Sequence, residues 1–171
     1  MSFAILADIG GTNTRVALAR GEVVLTETIR RFPNADYKAR GQHIGHILRD
    51  YLSTAGEAVS GVCVAAAGPV QDGVATMTNL DWVMDAPLLS AATGARKVAI
   101  LNDLQAQGHA LGHIPADRLR SLIDGPTVPG APMLVVGLGT GVNAAPVHGA
   151  GAGRIVPPSQ YGHINIQIRS E

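Results

Sequence analysis

Four segments of this chain set hydroxyl, amide, carboxylate or imidazole groups after short apolar runs or in loops, three of them beside glycine or proline. The first is Asp8-Ile9-Gly10-Gly11-Thr12-Asn13-Thr14. Paired glycines admit positive φ and let the backbone approach a ligand closely. The Thr12 hydroxyl and the loop N–H groups can then bind phosphate oxygens, and Asp8 can hold a Mg²⁺-bound water. The same residues also fit an ordinary hairpin turn. The second segment, Gly137-Leu138-Gly139-Thr140-Gly141-Val142-Asn143, repeats that physics with three glycines. It is no dinucleotide fingerprint, because Val142 stands where the last glycine is needed, and no Lys follows to make a Walker A loop. Two strand–Gly–Thr segments about 130 residues apart suggest two hairpins gripping one phosphate chain. The third segment is Leu101-Asn102-Asp103-Leu104. An Asp between a strand and a helix can serve as a base, at a helix end that favours negative charge, or simply as an N-cap. The fourth, Pro157-Pro158-Ser159-Gln160-Tyr161-Gly162-His163, offers an amide and an imidazole that can bind hydroxyls.

The elements that must hold these groups follow from hydrophobic spacing. Phe3 to Ile9, Arg15 to Arg20 and Glu22 to Ile29 read as three strands joined by tight turns, an antiparallel meander. Asp36 to Thr54 predicts one helix, with Ile44, Ile47, Leu48, Tyr51 and Leu52 forming a continuous stripe. His43 and His46 flank that stripe as surface or boundary residues rather than metal ligands. Strands follow at Gly61 to Ala67, Val74 to Met77 and Lys97 to Leu101, with a short helix at Pro87 to Ala92 and another at Leu104 to Leu111. Met133 to Gly137 and Val142 to Val147 read as a hairpin. The fold class is α/β with a mixed sheet.

Composition narrows the function. Lys plus Arg and Asp plus Glu are 13 each, so formal charge is zero and no basic patch offers a nucleic-acid surface. Cys63 is the only cysteine, set in an apolar run where a buried structural thiol is expected. No apolar run reaches the roughly 18 residues of a membrane span, and the N-terminus lacks a signal-peptide pattern, so a cytoplasmic location is expected. Between Gly125 and Ile168 the one Asp, Glu, Lys or Arg is Arg154. Such a stretch predicts burial on more than one side, as of a sheet awaiting its cover. An exposed sheet edge in so short a chain makes self-association, for example as a homodimer, an expectation.

Taken together and in order, the segments resemble the bacterial glucokinases of the hexokinase type, in the actin/Hsp70/sugar-kinase superfamily. The residues that carry the resemblance are Asp8 to Arg15, Met77-Thr78-Asn79-Leu80-Asp81-Trp82, Leu101-Asn102-Asp103, Gly137 to Gly141 and Gly162-His163. The resemblance implies a ribonuclease-H-like, actin-like ATPase fold, with an N-terminal lobe over 1–110 and the beginning of an incomplete second lobe over 111–171. It implies transfer of phosphate from ATP, with Mg²⁺, to the 6-hydroxyl of glucose or another hexose. Asp103 would be the general base. Asn102, Asn79, Gln160 and His163 would contact the sugar. Gly10, Gly11, Thr12, Asn13, Gly137, Gly139, Thr140 and Gly141 would line the phosphates, and Asp8 would reach Mg²⁺ through water, with no protein-held metal.

Three departures bear on that reading. The family usually has Glu-Gly-Gly-His where this chain has Gln160-Tyr161-Gly162-His163, and a neutral Gln is a weaker acceptor than a carboxylate. Asn143 replaces a common Gly. Family members are also about twice as long, and the remaining half would supply the adenosine site and a further sugar-binding Glu. A non-catalytic, truncated or degenerate relative that binds sugar or regulates is therefore the alternative. An actin-like ATPase without a sugar substrate is the third reading, opposed by Asn102-Asp103 and Gly162-His163.

Overall fold

The computed structural model describes residues 2–126, 128–138 and 142–158. The chain packs as two compact units that divide between Asp103 and Leu104.

The first unit is built on a five-stranded sheet. β1 (Phe3–Ile9), β2 (Asn13–Arg20) and β3 (Val23–Pro33) form the antiparallel meander that the sequence predicts. β4 (Val59–Ala66) and β8 (Lys97–Asn102) continue it in parallel, giving the order β3-β2-β1-β4-β8. Between β4 and β8 lies a small antiparallel sheet of β5 (Val70–Gln71), β6 (Val74–Met77) and β7 (Trp82–Met84). The period-2 pattern sorts the two faces of the main sheet. Ile5, Ile9, Val16, Leu18, Val62, Val64 and Ala66 turn one way and are buried, whereas Asp8 and Arg15 turn the other way and are exposed.

Helix packing completes that core, with one correction to the sequence reading. The single helix expected over 36–54 is two: α1 (Asn34–Lys38) and α2 (Ile44–Ala55). Gly41 separates them at φ 68°, a left-handed conformation that ends a helix. The stripe itself is as expected, with Ile44, Ile47, Leu48 and Tyr51 buried. His43 and His46 are not bystanders. The His43 Nδ1 accepts the Gly45 N–H at 3.2 Å, and the His46 Nδ1 accepts the His43 N–H at 3.3 Å, a capping box built from imidazoles. α3 (Ala86–Thr93) starts on Asp85, whose Oδ1 accepts the Leu88 N–H at 2.9 Å, and ends on Gly94 at φ 72°. Trp82, Met84 and Leu89 close the core. Cys63 is partly buried on β4, and desolvation raises its thiol pKa.

α4 (Asp103–Ala110) opens the second unit. There β9 (Met133–Leu138) and β10 (Val142–Val147) form the antiparallel hairpin that the sequence predicts. Its small core joins Leu104, Ala145, Val147 and Val156. Gln105 Nε2 donates to the Val156 carbonyl at 2.9 Å. Gly108 lets α4 sit on Val147 and Val156, where a β-carbon would stand 2.7 Å from a Val156 methyl.

Candidate active site

The parallel strands β1, β4 and β8 end level with one another: Ile9 pairs with Ala66, and Ala66 with Asn102. The carboxyl ends of parallel strands are where open α/β sheets bind ligands. Here they gather Asp8, the Gly10–Thr14 loop, the Ala67–Pro69 turn, Asn102 and Asp103. The Ala67 N–H donates to the Ile9 carbonyl at 2.9 Å, and Asn102 Nδ2 donates to the Gly68 carbonyl at 3.0 Å. Gly68 is required by space, because a β-carbon there would stand 2.5 Å from the Thr76 carbonyl oxygen. Asn102 is buried, and Asp103 follows it as the first residue of α4.

The Gly10–Thr14 loop is tightly organised. Its Gly10 N–H closes onto the Asn13 carbonyl at 2.9 Å. Among the described residues, the N–H groups of Gly11 and Thr12 have no intramolecular acceptor, and both residues are exposed. Exposed N–H groups without an acceptor beside a Thr hydroxyl suit phosphate oxygens, so the loop fits a nucleotide phosphate. Asp8 carries its carboxylate on the strand before the loop, 3.2 Å from Arg15 Nη1 across the β1–β2 ladder. Both side chains are more than half exposed, so the pair adds little stability. That carboxylate is well placed to meet a hydrated cation.

Asn79 reaches the same loop from the β6–β7 turn. A β-carbon on Gly11 would stand 2.7 Å from Asn79 Nδ2, so the absence of a side chain at Gly11 makes room for Asn79. The turn is held by Lys38, whose Nζ donates to the Asn79 carbonyl at 3.1 Å and pairs with Asp81 at 2.8 Å. Asp81 itself lies at φ 57°.

Two residues that sequence reasoning passed over complete the arrangement. Asn34, fully buried, donates from Nδ2 to the Gly10 carbonyl at 2.8 Å and from its backbone N–H to the Thr12 carbonyl at 2.9 Å. Its Oδ1 accepts the Thr14 hydroxyl at 2.7 Å. Only the turn-like pair Pro33-Asn34 hinted at a special position. Tyr37, on the same short helix, donates to Asp50 Oδ2 at 2.8 Å, and burial, with that bond second, pushes its pKa up to about 12.

The structure thus brings together Asp8, Gly10, Gly11, Thr12, Asn13 and Asn79, and places Asn102 and Asp103 at the end of the neighbouring strands. Gly137 lies in the second unit, in β9, where its missing side chain is matched by Leu104 at 3.1 Å from the β-carbon position. Gly139, Thr140, Gly141, Gln160 and His163 lie outside the described residues. No cluster of three or more metal-ligating side chains occurs among the described residues. No helix there is long and apolar enough to cross a membrane.

Comparison with known proteins places this geometry. A family model described as Glucokinase matches residues 5–171. A glucokinase of Saccharophagus degradans is 34% identical over 166 residues, which cover 95% of this chain and 50% of the relative. Among solved structures, a glucokinase from an Antarctic psychrotroph superposes with a TM-score of 0.83 at 28% identity, covering 100% of this chain and 54% of that one. A glucokinase from Balamuthia mandrillaris, solved with glucose, gives 0.67 at 25% identity, covering 97% and 50%. The chain spans about half the length of the relatives it matches. The fold is that of the actin-like ATPase sugar kinases, of which this chain covers about half.

Proposed function

The chain belongs to the glucokinase family, and we propose that the protein transfers the γ-phosphoryl group of ATP to the 6-hydroxyl of a hexose, glucose first. The observation that carries the reading is the convergence of Asp8, the Gly10–Thr14 loop, Asn79, Asn102 and Asp103 at the carboxyl ends of β1, β4 and β8. A relative solved with glucose favours that sugar.

The roles are those the family resemblance implies, and the chemistry of the groups suits them. The Asp103 carboxylate accepts the proton of the 6-hydroxyl as that oxygen attacks phosphorus and the bond to the ADP oxygen breaks. Asn102 and Asn79, with Gln160 and His163, orient the sugar by hydrogen bonds. The N–H groups and hydroxyl of Gly11 and Thr12 hold phosphate oxygens, with Gly10, Asn13, Gly137, Gly139, Thr140 and Gly141 lining the rest. Asp8 would hold the nucleotide's Mg²⁺ through water, and that ion would supply charge neutralisation. Such catalysis rests on positioning and electrostatics, not on covalent protein chemistry. Residues 1–110 would form the lobe carrying the base, and 111–171 the beginning of the second lobe.

A second reading is favoured by Gln160, a neutral amide where the resemblance implies the family's usual Glu. Under it the protein keeps the sugar site and has lost turnover. The test is ADP release with Mg²⁺·ATP and a panel of hexoses, beside Asp103→Ala. Glucose-dependent release that Asp103→Ala abolishes supports the kinase. Glucose binding by calorimetry without release supports the second reading, and release that Asp103→Ala leaves intact removes Asp103 from the mechanism.

A further inference from the structure

The Gly10–Thr14 loop is short, exposed at its tip and rich in glycine, yet its peptide planes are not free to turn. We propose that Asn34 is the positioning residue of this loop: by holding its carbonyl oxygens inward, it aims the loop N–H groups outward at the phosphate. The proposal rests on the phosphate-binding reading above and names the residue that makes the loop fit for it.

The argument is one of peptide geometry. In a planar trans peptide the C=O and the following N–H point in opposite directions. Asn34 Nδ2 takes the Gly10 carbonyl at 2.8 Å, so the Gly11 N–H must point away from Asn34. The Asn34 backbone N–H takes the Thr12 carbonyl at 2.9 Å, so the Asn13 N–H is turned away likewise. A glycine pair left to itself visits many φ/ψ states, and those with a peptide plane turned over would present a carbonyl oxygen to an anion. Asn34 removes those states by giving both carbonyls a better partner.

The side chain is itself fixed. Asn34 is fully buried, so an unmade hydrogen bond would leave a polar group without water. Its Oδ1 is taken by the Thr14 hydroxyl at 2.7 Å, which orients the amide so that Nδ2 faces Gly10. One residue therefore grips the entry, middle and exit of the loop. Its helix is anchored twice more, by Tyr37 on Asp50 and by Lys38 on the Asn79 turn. The loop and the turn that meets it at Gly11 are thus referred to the same five residues.

The test uses the 171-residue chain with inorganic tripolyphosphate and Mg²⁺, titrated while the Gly11 and Thr12 amides are followed by NMR. Asn34→Ala is expected to weaken binding at least tenfold and to speed hydrogen exchange at the Gly10 amide, which closes onto the Asn13 carbonyl. The exchange of the Ile47 and Leu48 amides in α2 should stay as in the parent. Thr14→Val keeps the volume and removes only the hydroxyl that orients the amide, so a weakening of about threefold is expected in a chain that still folds. The proposal is overturned if Thr14→Val binds like the parent, or if Asn34→Ala does, or if both speed exchange in the loop and in α2 alike, which is a purely structural effect. A parent chain that shifts no loop amide overturns the phosphate-binding reading, and this inference with it. A parent that binds beside unaffected variants overturns this inference alone.

Discussion

Gly68 is fixed by a neighbour rather than by a backbone angle. With the Thr76 carbonyl oxygen 2.5 Å from the β-carbon position, any side chain there must push β6 away from the turn that Asn102 holds. Overpacking of a tight site costs about 1–3 kcal/mol, and a carbonyl cannot yield as a flexible side-chain tip can. Gly68→Ala is therefore expected to lower stability by about 2–3 kcal/mol in urea unfolding. Gly125→Ala, with nothing within 4 Å, should change it by less than about 0.5 kcal/mol. At this scale the sequence shows part of the site. The glycines, Asp8, Asn79, Asn102 and Asp103 announce themselves by residue type and position beside predicted strand ends. Asn34 does not. Its partners Gly10, Thr12 and Thr14 lie 20 to 24 residues away, and no local spacing encodes a contact of that range. Gly68 was visible only as a strand end, because the carbonyl that excludes a side chain comes from a different hairpin.

Elements show the same division. The apolar runs of β1 and β4, the alternation of β2 and the stripe of α2 are legible because each marks apolar side chains that the core buries, and the β9–β10 hairpin follows from two apolar runs flanking glycines. The break at Gly41 is not, since residues 36–40 are compatible with a helix and only the left-handed φ at Gly41 ends it. That break makes His43 an N-cap, which has a consequence in pH. The neutral His43 Nδ1 accepts the Gly45 N–H, and a protonated imidazole cannot. Its pKa is lowered from 6.5, first by burial and then by the neighbouring His46 and Arg49. The unfolded chain thus binds the proton more readily than the folded one, so stability is full above about pH 6.5 and is lost as pH falls toward the folded pKa. His43→Ser keeps a capping oxygen without the titration. The difference in unfolding free energy between the parent and His43→Ser should shift against the parent as pH drops from 7.5 to 5.5, and a pH-independent difference would remove His43 as the cause. Ile47→Ala, on the buried stripe, should cost about 2–5 kcal/mol by the same measurement at any pH in that range.

The two units differ in how much core they hold. In the first, the buried cluster runs from Ile5 to Ala95 and draws on β1, β2, β4 and all three of its helices, with Leu25 and Phe32 of β3 and Val98 and Ile100 of β8 packed against it, partly buried. Among the described residues, nothing in that cluster comes from beyond residue 100. The second unit's cluster consists of Leu104, Ala145, Val147 and Val156, and Leu134, Val136 and Leu138 stand exposed along one face of β9. Between α4 and β9 the described residues hold only one short 3-10 turn, Ala116–Arg118, and Arg118 and Arg120 are exposed there. Cleavage requires local opening, and segments with few buried contacts open at little cost. Trypsin at low ratio should therefore cut first at Arg118 or Arg120, leaving an N-terminal fragment that keeps β1 to α4. Because the first cluster needs no residue beyond it, that fragment should persist through further digestion and unfold with one cooperative transition. Mass spectrometry of the time course checks the site, and thermal unfolding of the isolated fragment checks the cooperativity. Early cuts at Arg20, Arg30, Arg31 or Lys38 would show instead that the meander and its helix open at less cost than the segment between α4 and β9.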